Sequence, residues 1–96
     1  MSFKVLGRDK LVKFWQRHQR AKVPLETWFH ETQSAQWRTP QDIRNRYASA
    51  SFLSNNRVIF NIKGNDYRLL IQIRYQGGII VIERVGTHAE YDKWPL

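Results

Sequence analysis

The sequence predicts an α+β fold: an antiparallel sheet of three consecutive strands packed on a helical hairpin, with the other sheet face partly open. One change of pattern and the length of the turns carry that expectation. Apolar residues recur every three to four positions through the first 47 residues, then every second position from residue 57 onward. The turns between the later runs are too short for anything but an antiparallel meander. A meander with one apolar face needs a cover, and the helices of the first half supply it.

Phe3-Lys4-Val5-Leu6 reads as a short opening strand, and Gly7 with Asp9 as a turn into a helix that Asp9 would cap. Leu11, Phe14, Trp15 and His18 then mark one helix face. Pro24 suits the first turn of a second helix, whose inner face is Leu25, Trp28, Phe29 and Thr32. Thr39-Pro40-Gln41-Asp42 signals a third, short helix, with Thr39 as cap and Asp42 at its positive end, fading by Tyr47. The Ser- and Asn-rich stretch 48–56 is expected to be loop. Arg57 to Ile62, Tyr67 to Tyr75 and Ile79 to Val85 are the three strands, joined by Lys63-Gly64-Asn65-Asp66 and Gln76-Gly77-Gly78. The order is therefore β-α-α-(short α)-β-β-β, and 96 residues make it one domain, 1–96.

Charge narrows the function. Lys and Arg total 16 against 8 Asp and Glu, a formal net charge of +8. Residues 1–24 hold seven basic side chains against a single Asp, so Lys10, Lys13 and Arg17 of the first helix are candidate contacts for a polyanion. With no cysteine and three scattered histidines there is no thiolate zinc site and no metal-ligand spacing, so no metal is expected. No phosphate-binding glycine loop or serine nucleophile motif occurs. The N-terminus lacks an apolar run of signal-peptide length, and no stretch approaches the ~18 apolar residues of a membrane span, so the expected location is the cytoplasm.

Strand register locates candidate chemistry. A four-residue turn at 63–66 pairs Ile62 with Tyr67 and Asn61 with Arg68. A three-residue turn at 76–78 pairs Leu70 with Arg84 and sets Arg68 opposite Gly86. In that register Asn61, Arg68, Arg84 and His88 gather at one end of the exposed face, with Lys63 at the rim. Metal-free RNA cleavage needs such a set. The 2′-OH attacks the adjacent phosphate, one group takes its proton, another protonates the 5′-oxygen, and cations hold the developing charge. Arginine presents a planar, permanently charged fork to phosphate, and histidine or tyrosine moves protons or stacks on a base. Taken singly, a strand arginine is more often a solvated or ion-paired surface residue than a catalytic one, and His18 and His30 read as structural.

The segments Asn56-Arg57-Val58-Ile59-Phe60-Asn61-Ile62-Lys63-Gly64-Asn65-Asp66-Tyr67-Arg68-Leu69 and Val85-Gly86-Thr87-His88-Ala89-Glu90-Tyr91-Asp92-Lys93, with Trp37-Arg38-Thr39-Pro40, resemble the HigB toxin family, a branch of the RelE-like endoribonucleases. The resemblance implies a RelE-like fold and a type II toxin that cuts messenger RNA on the ribosome and so stops translation. It implies no cofactor, and a HigA-type helix-turn-helix antitoxin that silences the toxin in a DNA-binding hetero-oligomer. It points to Arg68, His88, Tyr91 and Lys63 as catalytic. Asn61, Asn65, Arg84 and Lys93, with Lys10, Lys13 and Arg17, would contact RNA. His88 and Tyr91 partly replace the lysine, arginine and C-terminal tyrosine of better-known RelE relatives, and the residues after Lys93 leave room for little C-terminal helix. The competing functions are a non-catalytic basic nucleic-acid-binding module and a basic adaptor for an acidic protein. Catalysis predicts that His88→Ala keeps fold and binding but loses toxicity, whereas a pure binder is more sensitive to charge removal at Lys10, Lys13 and Arg17.

Overall fold

The computed structural model describes residues 3–96. Strand β1 (Lys4–Leu6) leads into α1 (Arg8–Arg17), and a single 3-10 turn at Gln19–Ala21 connects α1 to α2 (Lys22–Ser34). After α3 (Pro40–Arg46) come β2 (Ser51–Leu53), β3 (Arg57–Ile62), β4 (Tyr67–Arg74) and β5 (Ile79–Thr87), and then the one-turn helix α4 (His88–Tyr91). The strands form one five-stranded sheet in the order β1-β5-β4-β3-β2, antiparallel except where β1 runs parallel to β5.

The helical faces expected from the sequence are the buried ones. Leu11, Phe14 and Trp15 of α1, and Leu25, Trp28, Phe29 and Thr32 of α2, are all buried. They close over Val58, Phe60, Ile62, Tyr67, Leu69, Ile71, Ile73, Ile80 and Ile82 of the sheet in a single apolar cluster. Phe60, fully buried, is its aromatic centre, with Trp28, Trp37 and Tyr47 rings 5.1 to 6.2 Å away. Such aromatic contacts add to burial because the positive edge of one ring meets the negative face of another.

Helix starts follow local chemistry, with one departure from expectation. Asp9 does not cap α1. The cap position is Gly7, at φ 94°, and Asp9 lies in the first turn, where its charge meets the helix dipole. The reason is steric: a Cβ at residue 7 would stand 3.0 Å from the carbonyl oxygen of Ile82, so β1 turns into α1 against β5 only with glycine there. At α3 the expected cap is present. Asp42 N–H donates to Thr39 Oγ1 at 3.4 Å, and Asp42 Oδ2 accepts from the backbone N–H groups of Thr39 and Arg38. Thr39→Ala is therefore expected to cost about 1 kcal/mol, lowering the melting temperature by roughly 4–8 °C in thermal unfolding.

Three details of the sheet differ from the sequence reading. Residues 51–53, expected in a loop, form β2, which pairs Ser51, Phe52 and Leu53 with Ile59, Val58 and Arg57. The turn after β4 spans four residues, 75–78, because Arg74 pairs with Ile79. A bulge between Leu70 and Ile71 on the β4–β5 ladder then takes up Glu83, and beyond it Leu70 pairs with Arg84 and Arg68 with Gly86, as expected. The two one-residue differences cancel. The 63–66 turn is as expected, pairing Ile62 with Tyr67 and Asn61 with Arg68.

Candidate functional site

Arg68 is the most informative side chain of the sheet. Alternation along β4 turns Tyr67, Leu69, Ile71 and Ile73 into the core and Arg68 to the opposite face. That face was expected to leave it open. Instead Arg68 is only 9% exposed. Its Nη1 donates to the carbonyl oxygens of Asn65, at 2.9 Å, and Tyr67, at 3.3 Å. Its guanidinium carbon sits 5.3 Å from the centre of the Tyr91 ring, a cation–π arrangement. Exposure was misjudged because α4 and the residues after it return over this end of the sheet.

Glycine makes that return possible. A Cβ at Gly86, opposite Arg68, would lie 2.9 Å from Trp94 Cζ2 and 3.2 Å from Glu90 Cβ. Trp94 in turn meets the Tyr91 ring edge-on at 5.5 Å. A reciprocal cap starts α4: Glu90 N–H donates to Thr87 Oγ1 at 3.2 Å, and Thr87 N–H donates to Glu90 Oε1 at 2.8 Å. The His88 backbone N–H donates to the Asp66 carbonyl at 3.1 Å, tying α4 to the 63–66 turn. On α4 the His88 imidazole lies 6.4 Å from the Tyr91 ring, with Nδ1 3.9 Å from Asp92 Oδ1. His88 and Asp92 are both exposed.

The Glu90 carboxyl is held below its ordinary pKa, chiefly by the Thr87 backbone N–H, with smaller help from the Thr87 hydroxyl and the Arg17 charge. A depressed carboxylate stabilises the folded arrangement above its unfolded pKa and loses that contribution as pH falls through the folded value. Acidification is thus expected to loosen α4. Amide NMR shifts of Thr87 and His88 should move together in acid in the native chain and not in Glu90→Gln.

The structure divides the residues expected to converge. Arg68, His88 and Tyr91 are together, and Asn65 joins them through its backbone oxygen. Lys63 stands on the adjoining turn at φ 53°, its Nζ paired with Asp66 Oδ2 at 3.3 Å. Asn61 does not join them: its side-chain amide donates to the Ser49 carbonyl at 3.5 Å, because β2 ends short of it and leaves that edge to the 48–50 segment. Lys93 is exposed just past α4. Arg84 lies with Lys10, Lys13 and Arg17 along a separate groove of about 290 Å³ between α1 and β5. Two residues near the site were not singled out from sequence. His18, read as structural, stacks on Phe14 and lies 6.2 Å from the Tyr67 ring. Trp94 was overlooked, although a tryptophan three positions after Tyr91 in a polar tail is a visible signal. Among the described residues no group of three or more His, Asp or Glu side chains is placed to share a metal ion. Nor is any helix long and apolar enough to cross a membrane.

Helices on one face of a mostly antiparallel open sheet, and a short helix folded back over an arginine on the other, define a RelE-like α+β fold. The chain belongs to the HigB toxin family, the RelE-like toxic component of a toxin-antitoxin system, whose family model matches residues 21–94. Membership implies an antitoxin partner. No curated protein matches the chain significantly.

Proposed function

We propose that this toxin is an endoribonuclease that cuts messenger RNA on the ribosome by 2′-OH transesterification, with no metal or organic cofactor. On this reading it acts in the cytoplasm, and a HigA-type helix-turn-helix antitoxin silences it in a DNA-binding hetero-oligomer. The observation that carries the reading is Arg68, fixed by two backbone carbonyls beneath Tyr91, which itself stands one turn along α4 from His88. A guanidinium anchored through Nη1 keeps Nε and Nη2 for the oxygens of a phosphate, where it neutralises charge that grows as the phosphorus becomes five-coordinate. Preorganisation matters here, because a side chain already locked in place loses little entropy on engaging the transition state.

The chemistry balances on this chain's own groups. The 2′-oxygen forms a bond to phosphorus as its proton leaves to a base, and the bond from phosphorus to the 5′-oxygen breaks as that oxygen takes a proton. The products are a 2′,3′-cyclic phosphate and a 5′-hydroxyl. His88 and Tyr91 are the proton-transferring pair, Lys63 adds positive charge at the rim, and Asn65 and Lys93 border the RNA. Expression of the chain alone is expected to arrest growth by halting translation, and co-expression of its antitoxin to restore growth. Harmless accumulation of folded protein at high level would overturn the toxin-nuclease reading.

A further inference from the structure

The groove between α1 and the distal part of β5 has a composition that Arg68 and α4 do not explain. Strand β1 pairs with β5 only from Ile79 to Val81, so Glu83 to Thr87 lie at the sheet's edge, and α1 runs alongside them. Lys10, Lys13 and Arg17 line the groove from α1 and Arg84 from β5, against a single carboxylate, Glu83. The Glu83 bulge supplies a further anchor: its carbonyl accepts a hydrogen bond from Lys10 Nζ at 3.2 Å. One end of the groove is closed by an aromatic ring. Trp15, Trp28 and Trp37 are buried, whereas Trp94 is half-exposed, braced by Tyr91 and Gly86 and facing the groove.

A row of cations ending in a braced, half-exposed indole matches a single nucleic-acid strand. Its phosphates need closely spaced positive charge, and its unpaired bases stack on aromatic faces. A single strand fits this arrangement better than a duplex, because only unpaired bases are free to stack on an indole face. We propose that this groove is a single-stranded RNA subsite in which Trp94 stacks a base and Lys13, Arg17 and Arg84 hold the phosphates that follow. The proposal rests on the nuclease reading for its substrate and adds a second region of RNA binding. Trp94 packs on Tyr91, so the groove adjoins the ring that covers Arg68.

The test is equilibrium binding of a fluorescent hexanucleotide of 2′-O-methyl RNA, which lacks the attacking hydroxyl, to the full chain without ribosomes. An abasic hexamer of the same charge and a polyglutamate peptide serve as comparisons. The native chain should bind the base-bearing oligomer about tenfold more tightly than the abasic one, the scale of one stacked base. Trp94→Ala should erase that difference and Trp94→Phe should keep most of it. Lys13→Gln with Arg17→Gln, both exposed positions, should weaken both oligomers alike and flatten the salt dependence by about 0.7 for each phosphate left without its cation. Equal affinity for the two oligomers in the native chain, or unchanged binding in the double variant, would overturn the subsite. Tighter binding of polyglutamate than of RNA would overturn it in favour of an acidic protein segment. The nuclease reading fails separately: a chain that shows the Trp94-dependent base preference yet never arrests growth keeps the subsite and loses the enzyme.

Discussion

Replacing Arg68 with alanine is expected to slow mRNA cleavage on programmed ribosomes by one to two orders of magnitude. A charge-assisted hydrogen bond contributes roughly 1.5–3 kcal/mol. If that bond strengthens in the transition state, its removal appears in the rate, where ~1.4 kcal/mol is tenfold. Burial adds a second effect that an exposed strand arginine would lack. Arg68 is almost covered, bonds to two carbonyl oxygens and supports the Tyr91 ring, so Arg68→Ala should also cost about 1–3 kcal/mol of stability. Arg68→Lys keeps the charge without the fork, and should recover part of each loss. The two effects separate when single-turnover cleavage is measured well below each variant's melting temperature. A folded Arg68→Ala protein that cuts at the native rate would remove Arg68 from the site.

Gly86→Val is expected to inactivate the toxin without touching any group proposed to react. Its side chain would occupy the space of Trp94 Cζ2 and Glu90 Cβ, forcing α4 off the sheet. Overpacking of this kind costs about 1–3 kcal/mol, and a shift of ~1 Å at reacting groups can cost a hundredfold in rate. The expected outcome is a folded protein with a modestly lower melting temperature and cleavage reduced roughly a hundredfold. Native activity in Gly86→Val would show that the position of α4 is irrelevant to the reaction.

The core was legible from sequence because periodicity alone selects it: every residue placed on the inner faces of α1 and α2 from Leu11 to Thr32 is buried except His18, which is half-buried. The Asn61–Arg68 register was equally legible, since a four-residue turn leaves little freedom. Strand β2 was missed because three residues amid Ser and Asn carry no period, and its pairing to β3 is a tertiary event. The Glu83 bulge left no local mark either, and the register past it was right only because the preceding turn is one residue longer than expected. Alternation told which face Arg68 takes but not what covers that face, which depends on α4 doubling back across Gly86. For the same reason Asn61, correctly paired in register, turns away to the free edge of β3.

The chemistry of the cut ends tests the central claim most directly. Messenger RNA should be cleaved on programmed ribosomes by the native chain, and the new termini identified by their susceptibility to phosphatase and kinase. A ribosome-only control with chelator in excess of free divalent ions separates the toxin's needs from the ribosome's own magnesium. The expected ends are a 2′,3′-cyclic phosphate on the upstream fragment and a 5′-hydroxyl on the downstream one, with cleavage persisting in chelator and falling sharply in Arg68→Ala. A 5′-phosphate on the downstream fragment, produced only when a divalent metal is supplied, would contradict the mechanism.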